Sequence, residues 1–301
     1  MPIATASELD SLAILRDSFA LHLSATRRPK TVALYLAALD CLRRHLTTAG
    51  MPTSARGIRR EHLEHFLAAR RERVAPATLS LEYRALAVFF GWLHDEEEIE
   101  RNPFERMHPP RVPLVPVPVV PVEAFRQLLA TAAGTDYLAR RDTALLLVFW
   151  DTGCRLGEVT GLKVEDVELK ERLAYVAGKG GHVRAVRFGG RTAVAIDRYL
   201  RGRRVRRDAD RPGLWLGQDG SLTSGAIAQM IAKRSARAGL ARIHPHQFRH
   251  SFAHAFLADG GQETDLQQLA GWRSPLMTRR YGASMAAERA RAAYRSPVDR
   301  L

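Results

Sequence analysis

The sequence has little cysteine and no long apolar run, and each absence excludes a class of protein. Cys41 and Cys154 are the only cysteines in 301 residues, too few for a disulfide framework or a cysteine zinc site. The N-terminus lacks the basic stretch and apolar core of a signal peptide. The longest apolar runs, such as residues 144–150, are far too short to cross a bilayer. We therefore expect a soluble, cytoplasmic protein with no membrane partner.

Acidic residues are scarce relative to basic ones. Asp and Glu total 32 against 46 Lys and Arg, which gives a formal net charge of +14. Such an excess favours a polyanionic partner, nucleic acid first and an anionic membrane second, although a GC-rich genome also enriches arginine. The chain is long enough for two ordinary domains, each with its own core.

Six prolines between residues 107 and 122 divide the chain into two parts. Proline fixes φ and lacks an amide donor, so this stretch predicts an extended, semi-rigid linker. We predict a helical domain over residues 1–106, a proline-rich linker over 107–121 and a second domain over 122–301.

Apolar periodicity predicts four helices before the linker, over about 7–24, 31–50, 60–71 and 76–92. Basic residues near their ends either bind phosphates or form a solvated surface. These residues are Arg27, Arg28, Lys30, Arg59, Arg60, Arg70, Arg71 and Arg73.

The pattern after the linker is mixed. Strands are predicted over 173–177 and 183–188, joined by the glycine-rich turn 178–181. Helices are predicted over 122–133, 140–151, 155–162, 192–200, 224–238, 245–258, 263–269 and 284–294. The predicted fold class is therefore mostly α, with a small β-hairpin or sheet in the second domain.

Several segments of the second domain carry residues suited to binding a phosphate. His246 and Arg249 lie three residues apart in HPHQFRH and share a helix face, which offers one titratable group and one forked cation. Arg155 follows a glycine break in TGCRLGEV, at the start of a predicted helix. The remaining residues of interest are Lys179 at the hairpin tip, Trp272 in AGW and Tyr281, nine residues further on.

These segments, in this order, resemble the tyrosine recombinase and phage-integrase family, including its Xer-like members. The resemblance covers the whole second domain, and the helical first domain is similar to the family's SAM-like core-binding half. It implies a mixed α+β catalytic domain and a site-specific DNA recombinase that needs neither a metal nor ATP. The reaction would serve integration, excision or resolution.

The resemblance implies how the strand is broken. Tyr281 would attack the scissile phosphate, giving a 3′-phosphotyrosine and a free 5′-hydroxyl. His246 would assist proton transfer at this nucleophile, and Lys179 would protonate the departing 5′-oxygen.

The resemblance also implies which residues bind the phosphate. Arg155 and Arg249 would bind the non-bridging oxygens and stabilise charge in the transition state. Trp272 would donate a hydrogen bond from its indole N–H. Glu158 would orient Arg155 or its helix.

Two competing assignments concern single residues. His246, His250 and His254 stand at i, i+4 and i+8, a spacing that could mimic a helical metal site. No HExxH motif and no acidic residue on that face supports it, so no metal and no cofactor is expected. Tyr294 is the competing nucleophile, but it lies in a predicted amphipathic helix rich in Ala and Arg.

Two other functions stay open. A DNA-binding regulator could keep the fold without catalysis, although the full set of Arg, Lys, His, Arg, Trp and Tyr argues against it. A type IB topoisomerase would share the chemistry but relax plasmids that carry no recombination site. For a recombinase, we expect a double-stranded DNA site and a tetramer on DNA, with residues 284–294 packed on a neighbouring protomer or on their own domain. An accessory protein is not identified.

Overall fold

The structure is a computed structural model that describes residues 11–113, 118–178, 181–218 and 220–272, together with Tyr294 and Val298. The chain divides into two compact units, Met1–Leu114 and Val115–Leu301, each with its own hydrophobic core. None of the helices in the described ranges is both long and apolar enough to cross a membrane.

The described part of the first unit is helical. Its elements are α1 Leu12–Thr26, α2 Pro29–Thr48, a 3₁₀ turn over Ala55–Gly57, α3 Arg60–Arg71 and α4 Pro76–Asp95. Both α2 and α4 begin with a proline, which loses no intrahelical hydrogen bond at that position. The four predicted helices are confirmed, and α3 has the predicted bounds.

The core of the first unit is apolar and rich in aromatic rings. Phe89 packs edge-on against Phe19 and Phe90, with ring centroids 5.0 and 5.3 Å apart. One buried carboxylate, that of Glu82, joins α4 to α3 by accepting two hydrogen bonds from Arg70, one of them from Nε at 2.9 Å. These aromatic contacts and this ion pair lie in a core whose other buried members are mostly leucine, isoleucine and alanine side chains.

The second unit combines helices with a small sheet. Its helices are α5 Val122–Ala130, α6 Tyr137–Thr152, α7 Leu156–Thr160, α8 Gly190–Arg203, α9 Ser224–Arg237, α10 Pro245–Ala258 and α11 Glu263–Ala270. Its strands are β1 Val167–Glu168, β2 Leu173–Ala177 and β3 Val183–Arg187, which form an antiparallel sheet in that order. The predicted fold class is confirmed. Of the predicted helix over 284–294, all residues before Tyr294 lie outside the described residues.

The sheet differs from the predicted hairpin by one short strand. The two residues of β1 pair with Leu173 and Ala174 of β2, and a 3₁₀ turn over Val164–Asp166 precedes them. Two residues are too few to show a hydrophobic alternation, so this strand exists only through its pairing.

The register of β2 and β3 sorts their side chains onto two faces. Ala174 pairs with Val186 and Val176 pairs with Arg184. Ala174, Val176 and Val186 are buried, so Arg184 lies on the inward face of the sheet.

The described part of the proline-rich segment, residues 107–113 and 118–121, has neither helix nor strand. Near its end Val120 is buried, and its amide donates to Ser251 Oγ of α10 at 2.8 Å. This end of the segment therefore packs on the second unit. The division into residues 1–106, 107–121 and 122–301 stays a prediction.

A buried charge cluster holds α6 to α9 in the second unit. Asp142 accepts two hydrogen bonds from Arg141 on Oδ1, at 2.9 and 2.7 Å, and two from Arg234 on Oδ2, at 2.8 and 2.6 Å. Arg234 also donates to the carbonyl of Thr131, just beyond α5. All four ionic hydrogen bonds lie inside the unit, so this cluster serves the fold.

Candidate active site

A glycine directs the chain into the site. Gly153 ends α6 in the left-handed region at φ +58°, and a Cβ there would lie 2.6 Å from the ring of Phe252. Only glycine combines this backbone conformation with so close an approach. The turn that follows puts Arg155 immediately before α7.

Glu158, in the first turn of α7, binds Arg155 twice. The amide of Arg155 donates to Oε2 and its Nη1 donates to Oε1, both at 2.8 Å. The Glu158 side chain is 3% exposed, whereas that of Arg155 is 36% exposed. One end of the Arg155 guanidinium is thus held by a buried carboxylate, and the side chain keeps access to solvent.

Arg249 reaches the same place from α10. It is buried, and it donates from Nη1 to the carbonyl of Gly153 at 3.0 Å and from Nη2 to that of Ala270 at 2.5 Å. Its guanidinium carbon lies 5.0 Å from the ring centroid of Trp272, within the range of a cation–π contact.

Arg184 of β3 completes the cluster, and nothing in the sequence motifs pointed to it. Its Nη1 and Nη2 donate to the two oxygens of Glu158 at 2.8 and 2.9 Å. The available signal was strand alternation, since Arg184 shares a face with Val186 and pairs with Val176, both of which are buried.

Three consecutive carbonyl oxygens at the C-terminal end of α11 each accept a hydrogen bond from one arginine. The pairs are Arg184 Nε with Leu269 at 3.1 Å, Arg249 Nη2 with Ala270 at 2.5 Å and Arg155 Nη2 with Gly271 at 3.2 Å. The last carbonyls of a helix lack intrahelical donors and form its negative pole, so cations are favoured there.

The electrostatics of the cluster keep both charge types ionised. Burial alone would raise the pKa of Glu158, but hydrogen bonds from Arg184 and Arg155 outweigh it and hold the pKa at about 2. Burial lowers the pKa of Arg249 to about 10, aided by the charges of Arg155 and Arg184 and opposed by that of Glu158. Arg249 is therefore charged at neutral pH. For Arg184, the bonds to Glu158 outweigh burial and raise the pKa.

The predicted site residues fall into three groups. Arg155, Arg249 and Trp272 meet around the end of α11. His246 is exposed one turn before Arg249 on α10, which begins at Pro245 and has the predicted bounds. Lys179 and Tyr281 lie outside the described residues.

Within the described ranges, no group of three His, Cys, Asp or Glu side chains is arranged to hold a metal ion. His246 and His250 are neighbours on α10, with ring centroids 6.4 Å apart. The described site instead concentrates three guanidinium groups around one carboxylate, an arrangement suited to stabilising a tetrahedral or pentacoordinate anion.

The known proteins that this chain resembles in sequence belong to one family. Residues 119–288 match the model of the phage integrase family. The chain is 32% identical over 259 residues to the tyrosine recombinase XerC of Chromohalobacter salexigens, covering 85% of this chain and 86% of that one. It is 29% identical over 283 residues to XerC of Oceanobacillus iheyensis, covering 91% and 92%.

Solved structures share the fold at lower sequence identity. The XerH site-specific recombinase bound to palindromic difH substrate in a post-cleavage complex has a TM-score of 0.74 at 18% identity, covering 94% of this chain and 84% of that one. A lambda integrase dimer bound to a COC′ core site has a TM-score of 0.72 at 16% identity, covering 90% and 77%.

Proposed function

Because the chain belongs to the phage integrase family and is a tyrosine recombinase, we propose that it cleaves and rejoins a double-stranded DNA site through Tyr281. One observation carries the assignment of the site. Arg155 and Arg249, from distant parts of the sequence, both bind the end of α11, where the chain runs on into Trp272. Tyr281 follows nine residues later.

The reaction exchanges one phosphodiester for another. The phenolic oxygen of Tyr281 attacks phosphorus and forms a 3′-phosphotyrosine, and the bond to the 5′-oxygen breaks. His246 assists removal of the phenolic proton, and Lys179 delivers a proton to the leaving 5′-oxygen. The phosphotyrosine conserves the bond energy, so the 5′-hydroxyl of a second strand reverses the step and seals the DNA without ATP.

The guanidinium groups stabilise the negative charge that builds up on the phosphate in the transition state. Arg155 and Arg249 donate to the non-bridging oxygens, and Trp272 adds its indole N–H. Arg155 is held by Glu158 and the carbonyl of Gly271, and Arg249 by the carbonyls of Gly153 and Ala270, so the direction of both side chains is fixed before DNA binds. Groups that are already oriented do not have to reorganise during the reaction, which lowers its barrier.

The chain is proposed to act as a tetramer. Recombination of two duplexes requires four strand cuts, and each chain supplies one nucleophile. Residues 284–294 would pack on a neighbouring protomer or on their own domain. The DNA-bound XerH and lambda integrase structures support DNA as the partner. The location proposed for the chain is the cytoplasm.

The test begins by finding the DNA site. Covalent protein–DNA adducts are recovered from cells that express the chain, and sequencing of the trapped DNA ends defines the site. A nicked suicide duplex that contains this site then measures adduct formation by the purified chain.

We expect Tyr281→Phe to bind the duplex but to form no adduct, because the phenolic oxygen is the nucleophile. Tyr294→Phe is the matched control, and it should form adduct at the wild-type rate. An adduct that survives in the Tyr281 variant and disappears in the Tyr294 variant would overturn the assignment.

A further inference from the structure

We propose that Arg184 is a positioning residue for strand cleavage, which fixes Glu158, and through Glu158 fixes Arg155, against the end of α11. The inference rests on the proposed function, because it concerns the same site. It gives a role to a fourth charged residue beside Arg155, Glu158 and Arg249. Arg184 acts through Arg155 rather than on the phosphate.

The donors of Arg184 are committed inside the protein. Nη1 and Nη2 span both oxygens of Glu158, and Nε donates to the carbonyl of Leu269. The side chain is 17% exposed, about half the exposure of Arg155 at 36%. Arg155 is therefore the residue presented to a substrate, and Arg184 supports it from behind.

Glu158 is the bridge between the two arginines. Its Oε1 accepts from Nη1 of Arg155 and Nη1 of Arg184, and its Oε2 accepts from the amide of Arg155 and Nη2 of Arg184. A buried carboxylate is stable only when it is paired and hydrogen-bonded. Without Arg184, Glu158 would lose half of these bonds and the geometry they impose on Arg155.

Arg184 also contacts the segment that leads to Trp272, through the hydrogen bond from its Nε to the carbonyl of Leu269. Gly271 adopts φ +62°, and a Cβ there would lie 3.1 Å from Arg184 Nη1. The backbone thus passes close beside the guanidinium where α11 ends. One side chain joins α7, which follows Arg155, to β3, which follows Lys179, and to the end of α11.

The same contacts imply a pH effect. The charged groups around Glu158 are Arg155, Arg184 and Arg249, and the buried thiol of Cys154 lies beside them. With Arg184 removed, Glu158 would lose hydrogen bonds and a positive charge that lower its pKa, so its pKa would rise. Protonated Glu158 would bind Arg155 less firmly, so the cleavage rate would become sensitive to acid.

The experiment compares Arg184→Gln with Arg187→Gln in the full chain. Arg187 is exposed on the same strand, so its replacement removes the same charge without touching Glu158. Adduct formation is measured at saturating suicide duplex, and affinity is measured separately. We expect Arg184→Gln to lower the cleavage rate by about 10²-fold at unchanged affinity, since small misplacement of a reacting group costs about that much. Arg187→Gln should cleave like the wild type.

Two further variants separate positioning from a general loss of structure. Arg184→Lys keeps the charge but cannot span Glu158 and Leu269, so it should restore only part of the rate. The ratio of the Arg184→Gln cleavage rate to the wild-type rate should fall as the pH is lowered, because Glu158 becomes protonated at a higher pH in the variant. The ratio is used because the effects of groups that titrate in both proteins cancel. In a Glu158→Gln background, Arg184→Gln should have little further effect and this ratio should not depend on pH.

A spectroscopic measurement decides the inference without cleavage. The ¹⁵Nε resonance of Arg155, assigned with Arg155→Lys, should shift in Arg184→Gln and in Glu158→Gln but not in Arg187→Gln. An unchanged Arg155 signal, or wild-type cleavage by Arg184→Gln, would overturn the inference alone. A wild-type chain that forms no adduct through Tyr281 would overturn the proposed function instead, and the Arg155 signal would still decide the role of Arg184.

Discussion

The two units bury charge to very different extents. Among the described residues of the first unit, Glu82 is the one charged residue that is buried. In the described part of the second unit the buried charged residues are Arg141, Asp142, Glu158, Arg203, Asp208, Arg234 and Arg249. A buried charge is costly unless it is paired, so the second unit is built around fixed partners for these groups. Such partners also fix the direction of a side chain, which apolar packing alone does not do for a guanidinium.

Within the second unit, two charge clusters differ in their access to solvent. The cluster around Asp142 is closed, with side-chain exposures of 9%, 5% and 10% for Arg141, Asp142 and Arg234. The cluster around Glu158 opens to solvent through Arg155. Burial of charge therefore does not by itself mark a reactive site. The Glu158 cluster differs from the Asp142 cluster because it combines a buried carboxylate with a guanidinium, that of Arg155, that keeps access to solvent.

The largest effect is expected from substitutions that break the open cluster around Glu158. Replacement of Arg155 or Arg249 by Ala should lower the rate of adduct formation on the suicide duplex by about 10²-fold or more, because in the proposed reaction each stabilises developing charge. Replacement by Lys should not fully restore the rate, since the forked geometry is lost. Circular dichroism serves as the control for folding. Near-normal cleavage by both lysine variants would mean that these arginines only position the DNA.

A second substitution breaks the closed cluster. Asp142→Asn leaves Arg141 and Arg234 buried without a carboxylate, which should lower the free energy of unfolding by about 3–5 kcal/mol. The matched variant in the first unit is Glu82→Gln, whose partner Arg70 is 23% exposed, and it should cost about 1 kcal/mol. Urea denaturation of each variant measures both values. Equal costs would contradict the contrast between the two units.

A third substitution uses pH to test how strongly the carboxylate of the open cluster is paired, and the expected effect shrinks as the pH falls. The pKa of Glu158 is about 2 in the folded chain against an ordinary value of 4.5, so the ionised carboxylate contributes stability above pH 4.5 that is lost as the pH falls toward 2. Glu158→Gln should therefore be less stable than the wild type at pH 7, by up to about 3 kcal/mol. Below about pH 5 the difference should shrink. A pH-independent difference in urea denaturation would mean that Glu158 is not held ionised.

Local signals predicted most of the secondary structure. The bounds of α3, α10 and β2 agree with those expected from the sequence, and α10 begins at the proline that favours a first helical turn. The strand β1 was not predicted, because it depends on pairing with β2. Nor was the Asp142 cluster, whose carboxylate and Arg234 are 92 residues apart.

The prediction of the site divides in the same way, between residues with local sequence signals and residues whose position depends on strand pairing. Arg155, Arg249 and Trp272 were predicted as site residues because their neighbours in the sequence match a family pattern. Arg184 lies outside the sequence motifs that match the family pattern, and its pairing with Val176 turns it toward Glu158.

The sequence by itself thus determined the residue types available for phosphate chemistry and the helices and strands that carry them, since capping, periodicity and spacing are local. Only the tertiary structure decided that three arginines meet three successive carbonyls at the end of α11, because burial and pairing depend on segments far apart in the chain.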